Sequence, residues 1–213
     1  MLGRMGTHPD RSTALLTDHY ELTMLQATLA DGRASRRSVF EVFTRRLSGG
    51  RRYGVVAGTG RVLDAIEDFR FADEEVRFLR DNGVVDEATA AWLADFRFGG
   101  DIWGYPEGEL YFPGSPVLVV EGTFAECVVL ETLVLSILNH DSAIATAGAR
   151  MIASAGDRPC IEMGSRRTHE DAAVAAARAA YIAGFAATSN LEAGRAYGIP
   201  TTGTAAHAFT LVH

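Results

Sequence analysis

Lysine is absent from this 213-residue chain, and all 20 of its basic residues are arginine. Without lysine the chain cannot form a Schiff base with a carbonyl substrate, and it cannot build the lysine-containing phosphate loop of P-loop nucleotidases. The 27 acidic residues outnumber the basic ones and give a net charge of −7. Because nucleic-acid binders usually carry a basic surplus, we expect no nucleic-acid partner.

Cysteines and long apolar runs are also scarce. Cys127 and Cys160 fit neither a metal-binding spacing nor a disulfide framework, so we expect a reducing, cytoplasmic setting. The most apolar stretch, 124–138, is interrupted by Glu126 and Glu131, which favours a buried helix over a membrane span. We therefore expect no membrane partner. The overall content of 47% hydrophobic and 22% charged residues is typical of a globular protein.

Apolar periodicity predicts three regions and an α/β fold class. Residues 1–12 are polar and are predicted to form a flexible tail. Residues 13–125 are predicted to form an N-terminal α+β domain, and residues 126–213 a connecting helix followed by the first part of an α/β barrel domain. Within the first domain the alternating pattern of 38–47, followed by a Ser-Gly-Gly turn and the apolar segment 53–57, predicts a β-hairpin.

The second domain alternates between short apolar strands and alanine-rich helices. Strands are predicted at 160–164, 185–190 and 199–207, and the helices between them indicate βαβ units with a parallel sheet. Polar residues stand at the carboxyl end of each strand, and such ends meet at one edge of the sheet. We therefore expect an anion-binding pocket there that includes the arginine pair Arg166 and Arg167, an asparagine and a histidine.

Each of these polar residues has a structural alternative. Arg166 suits a carboxylate or phosphate, but it could be an ordinary surface arginine. Asn190 could cap the following helix. His207 could be a hydrogen-bonded loop residue, or an imidazole that acts as a nucleophile or transfers protons near pH 7. The seven arginines between Arg33 and Arg52 could attract phosphate or form a solvated, partly paired rim.

Five long segments resemble the nicotinate phosphoribosyltransferase family, in the same order along the chain. They are TDHYELTM (17–24), FEVFTRRLSGGRRYGVVAGTGR (40–61), ETLVLSILNHDSAIATAGARM (131–151), EMGSRRTHEDAAVAAARAAYIAGFAATSNLEAG (162–194) and GIPTTGTAAHAF (198–209). The resemblance implies a type II phosphoribosyltransferase fold, in which an α+β domain packs on an irregular α/β barrel. It also implies the ATP-coupled joining of nicotinate and 5-phosphoribosyl-1-pyrophosphate to give nicotinate mononucleotide, a step of NAD biosynthesis.

The resemblance also implies roles for individual residues. His207 is similar to the histidine that accepts the γ-phosphoryl group of ATP, and Thr204 to a residue of the nicotinate site. Arg166 resembles an arginine of the phosphate or pyridine site, and Asn190 a polar residue that faces the ring substituent. Tyr20 resembles a tyrosine that stacks on the pyridine ring from the neighbouring subunit of a homodimer. Mg²⁺ would be carried by the phosphates of the substrates, because no dedicated metal motif is present.

The chain ends a few residues after His207, whereas members of the resembled family are considerably longer. Barrel strands and glycine-rich phosphate loops are then missing, and an open parallel sheet leaves an unpaired edge. We therefore expect this chain alone to be inactive or prone to aggregation. Two alternative functions remain: a non-catalytic remnant that pairs with a full-length paralogue, and a phosphoribosyltransferase specific for nicotinamide.

Overall fold

The computed structural model describes residues 12–213, so the predicted tail lies outside the described residues except for Ser12. The helices are α1 (His19–Ala30), α2 (Thr59–Glu67), α3 (Asp73–Asp81), α4 (Glu87–Ala94), α5 (Phe124–Val128), α6 (Glu131–Ala155), α7 (Glu170–Ile182), α8 (Leu191–Tyr197) and α9 (His207–Val212). The strands are β1 (Arg37–Phe43), β2 (Gly54–Val55), β3 (Asp101–Gly104), β4 (Leu110–Tyr111), β5 (Pro116–Thr123), β6 (Ile161–Glu162) and β7 (Ala187–Thr188). This mixture confirms the α/β class.

The predicted hairpin between 38–47 and 53–57 is wrong. Strand β1 instead pairs antiparallel with β5, which lies between β1 and β3 in a three-stranded sheet. Strand β2 pairs antiparallel with β4 and places Gly54 opposite Tyr111. A Cβ at Gly54 would lie 2.3 Å from the Tyr111 ring, so this close pairing needs glycine. Alternation reveals which face of a strand is buried, but it does not specify the partner strand.

The larger hydrophobic core lies between the first six helices, α1 through α6, and one face of the three-stranded sheet. Leu22 and Leu25 on α1 are buried there against residues of α5 and α6. Three phenylalanines pack edge to face, with ring centroids 5.5 Å apart for Phe69 and Phe71 and 5.6 Å apart for Phe69 and Phe96. Such contacts favour one arrangement of the loops around α3 and α4.

Helix α6 is 25 residues long and contributes to two cores. Its first half buries Leu133 and Ile137 in the larger core, and its second half places Ala145 against Ala179 of α7 in a smaller one. Small residues bring α6 and α7 close together, since a Cβ at Gly148 would lie 3.1 Å from the Cβ of Ala183. Because α6 is shared, the domain boundary at 125/126 stays a prediction.

The C-terminal part contains a short parallel sheet. Strands β6 and β7 pair in parallel, with Glu162 opposite Thr188. The predicted third strand, 199–207, is reduced to a single parallel bridge between Thr201 and Thr188, and His207 begins α9 instead of ending a strand. A longer third strand would need a longer neighbour to pair with, and β7 is only two residues long. Between Ser12 and His213, no helix has both the length and the apolar character needed to cross a membrane.

Candidate functional site

An open cavity of about 600 Å³ lies at the carboxyl ends of β6 and β7 and of the segment that follows Thr201. We call it the rim cavity. The residues of its lining that bear on the chemistry are Ser165, Arg166, Ser189, Thr202, Thr204 and Ala206. This location agrees with the predicted convergence of strand ends, and it is where α/β proteins commonly bind ligands.

Glu162 and Thr188 precede the loops of the rim cavity and connect the ends of β6 and β7. Thr188 is fully buried, and its hydroxyl donates to Glu162 Oε2 at 2.6 Å. The same Thr188 oxygen accepts from the backbone N–H of Asn190 at 3.0 Å, and Glu162 also accepts from the backbone N–H of Gly164. Both strand ends are therefore tied together, and the loops that begin there start from defined positions.

Asn190 has two partners. Its Oδ1 accepts from the backbone N–H of Ala193 at 2.9 Å and caps α8, so the capping alternative is confirmed. Its Nδ2 donates to Ser165 Oγ at 3.1 Å. Asn190 therefore reaches the rim cavity through a neighbouring serine that lines it. Its predicted role toward a ring substituent stays a prediction.

The structure brings Arg166 and Thr204 together, since both side chains are exposed and line the rim cavity. His207 is also exposed and follows directly after Ala206, which lines the same cavity. It is the first residue of α9. The rim cavity thus combines a guanidinium and hydroxyl donors with an accessible imidazole at the next residue, a set suited to anionic ligands.

Tyr20 is not among the residues that line this cavity. It lies in the first turn of α1, 47% exposed, and its hydroxyl donates to Glu131 Oε1 at 3.1 Å at the start of α6. Burial, together with this hydrogen bond and the charge of Glu131, raises the pKa of Tyr20 to about 12. The side chain is therefore a neutral phenol at physiological pH, and its predicted delivery to a second subunit stays a prediction.

Two buried ion pairs, which sequence reasoning missed, connect α2 and the β3–β4 loop with α6 and α7. Arg178 donates twice to Glu107, at 2.7 Å each, and Arg61 donates to the fully buried Asp141 at 2.8 Å. Burial raises the pKa of Glu107, but the hydrogen bonds and charge of Arg178 outweigh it, so the pKa is lowered. The partners lie 71 and 80 residues apart, and no local pattern connects them.

The fold defines a class of protein. The architecture is that of pyridine phosphoribosyltransferases: the crystal structure of human nicotinic acid phosphoribosyltransferase matches with a TM-score of 0.85 and 34% sequence identity. That match covers 92% of this chain and 40% of the human chain. Residues 15–139 match the family model of the nicotinate phosphoribosyltransferase N-terminal domain. The chain belongs to the nicotinate phosphoribosyltransferase family.

Curated relatives agree with this assignment. The chain is 69% identical over 199 residues to nicotinate phosphoribosyltransferase pncB1 of Mycobacterium tuberculosis, a match that covers 93% of this chain and 44% of the relative. It is 40% identical over 200 residues to nicotinate phosphoribosyltransferase of Bacillus subtilis, with coverage of 93% and 41%. The chain therefore spans less than half the length of these relatives.

Proposed function

We propose that this chain forms the nicotinate-binding and phosphoryl-accepting portion of a nicotinate phosphoribosyltransferase, a ligase-type enzyme of NAD biosynthesis. The observation that carries the proposal is the rim cavity, where Arg166 and Thr204 lie together beside His207 in a chain of this family. The enzyme would join nicotinate and 5-phosphoribosyl-1-pyrophosphate into nicotinate mononucleotide and pyrophosphate, with ATP hydrolysed to ADP and phosphate.

In the transfer step the pyridine nitrogen attacks C1 of the ribose. A carbon–nitrogen bond forms, the bond from C1 to the pyrophosphate oxygen breaks, and positive charge develops on the sugar in the transition state. Holding the ring in line and stabilising the departing charge accelerates such a reaction. Arg166 and Thr204 would orient the anionic pyridine in the rim cavity. Tyr20 of a second subunit would stack on the ring in a homodimer.

His207 would couple ATP to the transfer. A neutral imidazole nitrogen can attack the γ-phosphorus, so that a nitrogen–phosphorus bond forms and the bond to ADP breaks. Hydrolysis by water then returns the free imidazole and releases phosphate. The exposure of His207 supports this role, because an imidazole that receives a phosphoryl group from a nucleotide has to be accessible.

The residues present do not form a resident Mg²⁺ site: between Ser12 and His213, no group of three or more His, Cys, Asp or Glu side chains could hold a metal ion. Mg²⁺ would arrive with the substrate phosphates. The acidic composition and the two unpaired cysteines, Cys127 and Cys160, support a cytoplasmic location.

Nicotinate binding is the first test of this proposal. Titrating the ¹⁵N-labelled 213-residue chain with nicotinate should shift the backbone signals of Arg166, Asn190 and Thr204 more than those of exposed residues elsewhere. An Arg166→Gln variant should bind more weakly by about tenfold or more, because a charge-assisted hydrogen bond contributes about 1.5–3 kcal/mol. Arg167→Gln, at a neighbouring exposed arginine that does not line the rim cavity, serves as the control. Equal shifts throughout the chain would contradict the proposal.

Phosphorylation is the second test. In a full-length chimera with this chain as its N-terminal portion, incubation with ATP labelled at the γ-phosphoryl group should label an imidazole, and His207→Ala should abolish the label. His213→Ala is a matched control, since His213 is also an exposed histidine but follows the last residue of α9, whereas His207 is the first residue of that helix. Label that persists in His207→Ala and disappears in His213→Ala would overturn the assignment.

A further inference from the structure

We propose that Glu131 is a positioning residue for the transfer reaction and acts through the phenol of Tyr20. It holds the Tyr20 side chain in place for the active site of a second subunit. It also makes the face of the Tyr20 ring more electron-rich, which favours the pyridinium ring of the product over the neutral ring of nicotinate. This inference rests on the proposed function and adds to it a carboxylate that influences the reaction through another side chain.

Tyr20 lies in a contact between two helices that its neighbour in the chain helps to fix. The buried Glu21 accepts from the backbone N–H of Thr132 at 2.9 Å and from the hydroxyl of the same residue at 2.5 Å. Tyr20 itself donates to Glu131 Oε1 at 3.1 Å. Two adjacent residues of α1 thus bind two adjacent residues at the start of α6. The hydrogen bond between Tyr20 and Glu131 is therefore part of a fixed helix contact.

The Tyr20 ring remains accessible although its hydroxyl is held. The residue is 47% exposed, and it does not line the rim cavity of its own chain. Burial, the hydrogen bond to Glu131 and the charge of that carboxylate raise the pKa of Tyr20 to about 12, so the proton stays on the phenol oxygen. An exposed aromatic ring with a fixed hydroxyl can offer its face to a ligand outside its own subunit, which is the position that the proposed function requires.

The carboxylate changes the electron distribution of the ring that it holds. A phenol that donates to a carboxylate is polarised, which leaves more negative charge on its oxygen and ring. Aromatic faces attract cations through this negative charge.

The substrate ring acquires a positive charge during the proposed reaction. The pyridine nitrogen uses its lone pair to form the bond to C1, and pyrophosphate leaves with the electrons of the bond that breaks. The neutral pyridine thereby becomes a pyridinium. The face of Tyr20 then binds the transition state and the product more tightly than nicotinate, which raises the rate of transfer with little effect on substrate binding.

The experiment compares a neutral and a cationic pyridine ring as ligands of the full-length chimera, whose remaining residues come from the Mycobacterium tuberculosis relative. Nicotinate and nicotinate mononucleotide are each titrated by equilibrium dialysis into the wild-type chimera, Glu131→Gln, Tyr20→Phe and the double variant. Glu131→Gln keeps an acceptor but removes the charge, so it should weaken mononucleotide binding by about threefold to tenfold and nicotinate binding by less than about twofold. Tyr20→Phe should have the same effect. Adding Glu131→Gln to Tyr20→Phe should change either dissociation constant by less than about 1.5-fold.

The same variants test the rate of the transfer step. Glu131→Gln and Tyr20→Phe should each lower the single-turnover rate of mononucleotide formation by about threefold to tenfold, while the KM for nicotinate changes by less than about twofold. Glu87→Gln is the matched control and should leave both quantities unchanged. Glu87 is also the first residue of a helix, α4, but it is exposed, and within residues 12–213 no tyrosine donates to it.

A spectroscopic measurement on the 213-residue chain tests the contact without the chimera. With tyrosine labelled by ¹³C at Cζ, the Tyr20 signal, assigned by its loss in Tyr20→Phe, should move away from the phenolate position in Glu131→Gln and stay unchanged in Glu87→Gln. An unchanged signal in Glu131→Gln would overturn the inference.

The outcomes separate this inference from the proposed function. If the wild-type chimera makes nicotinate mononucleotide, a Glu131→Gln variant that keeps the wild-type rate, or that weakens both ligands equally, would overturn the role of Glu131 and leave the proposed function intact. A wild-type chimera that forms a folded dimer but makes no nicotinate mononucleotide would overturn the proposed function, and this inference with it.

Discussion

At Glu21 a carboxyl group is buried completely where α1 meets the start of α6. Its Oε1 accepts from the backbone N–H and the hydroxyl of Thr132, at 2.9 and 2.5 Å, and Thr17 donates to its other oxygen. Burial raises the pKa of Glu21 above the ordinary value because loss of solvent penalises the charged form, although the hydrogen bonds of Thr132 oppose this shift. We therefore expect the stability of this helix turn, on which Tyr20 also lies, to depend on pH.

The raised pKa of Glu21 has a defined sign for stability. Its protonated form stabilises the fold fully below the ordinary glutamate pKa, and that contribution is lost as the pH rises through the raised pKa. Glu21→Gln keeps a neutral acceptor for Thr132, so the variant should be more stable than the wild type at pH 7.5 and no more stable at pH 4. Urea unfolding at the two pH values measures this difference. Glu41→Gln, at an exposed strand position, should show no such dependence, and an equal gain at both pH values would contradict the assignment.

Arg178 is the second residue whose removal should have a large effect, because its partner Glu107 is mostly buried. Arg178→Met would leave the Glu107 carboxylate in a poorly solvated position and should cost about 3–5 kcal/mol of unfolding free energy. Adding Glu107→Gln to that variant should recover most of the loss, since the amide can still accept from the backbone N–H of Gly58. Urea or thermal unfolding measures both effects.

The exposed pair of Arg195 and Glu192 provides the contrast, because both side chains are largely solvated. Arg195→Met should leave the unfolding midpoint unchanged within error. If Arg178→Met also left the unfolding midpoint unchanged, the ion pair between Glu107 and Arg178 would not stabilise the contact between α7 and the β3–β4 loop.

At the scale of elements, the start of α2 depends on Gly58. This glycine has a φ of +101°, and a Cβ there would lie 3.1 Å from Ile137 Cγ2 and 3.2 Å from Asp141 Cβ on α6. Gly58→Ala should therefore combine left-handed backbone strain with a steric conflict between α2 and α6, at a cost of about 2–4 kcal/mol. Gly83→Ala is the control: its φ is +66° with nothing within 4 Å, so only the backbone cost of about 1–2 kcal/mol should remain. Equal unfolding free energies for both variants would contradict the close approach of α2 and α6.

Helices were predictable from the sequence because their signals are local. The spacing of Leu133, Val134, Ile137 and Leu138 identifies α6, and all four residues are buried on it. Strand partners were not predictable, because β1 pairs with a strand that begins more than 70 residues later and the intervening turn wrongly suggested a hairpin.

In the candidate site, too, local features were predictable from the sequence and long-range contacts were not. That polar strand ends would meet was predictable from the parallel order, and Arg166 and Thr204 do share a cavity. The contact between Asn190 and Ser165 joins residues 25 positions apart and depends on how two loops leave the sheet, so no local sequence pattern predicts it. The resemblance pointed to Asn190 and Thr204, but the serine between Asn190 and the cavity carried no sequence signal of its own.

At the scale of the whole molecule, large apolar side chains remain exposed on the two C-terminal helices, α8 and α9. Leu191 on α8 is 76% exposed, and Leu211 and Val212 on α9 are 85% and 78% exposed. Exposed apolar side chains favour association in water. The chain spans only 44% of the length of its mycobacterial relative.

We expect the isolated chain to self-associate through these exposed side chains, and Leu211→Ser combined with Val212→Ser should reduce that association. The reason is the loss of apolar area, because burial of such side chains contributes about 25 cal/mol per Å². Static light scattering across a concentration series should show a lower apparent mass for the double variant at every concentration. Leu63→Ser, at an exposed leucine on α2, is the matched control and should leave the scattering unchanged. A dimer that persists in the double variant would form through a different surface. If Tyr20 contributes to that dimer, adding Tyr20→Ala should lower the dimer fraction further. Scattering by the double variant identical to that of the wild type would show that association does not depend on the exposed face of α9.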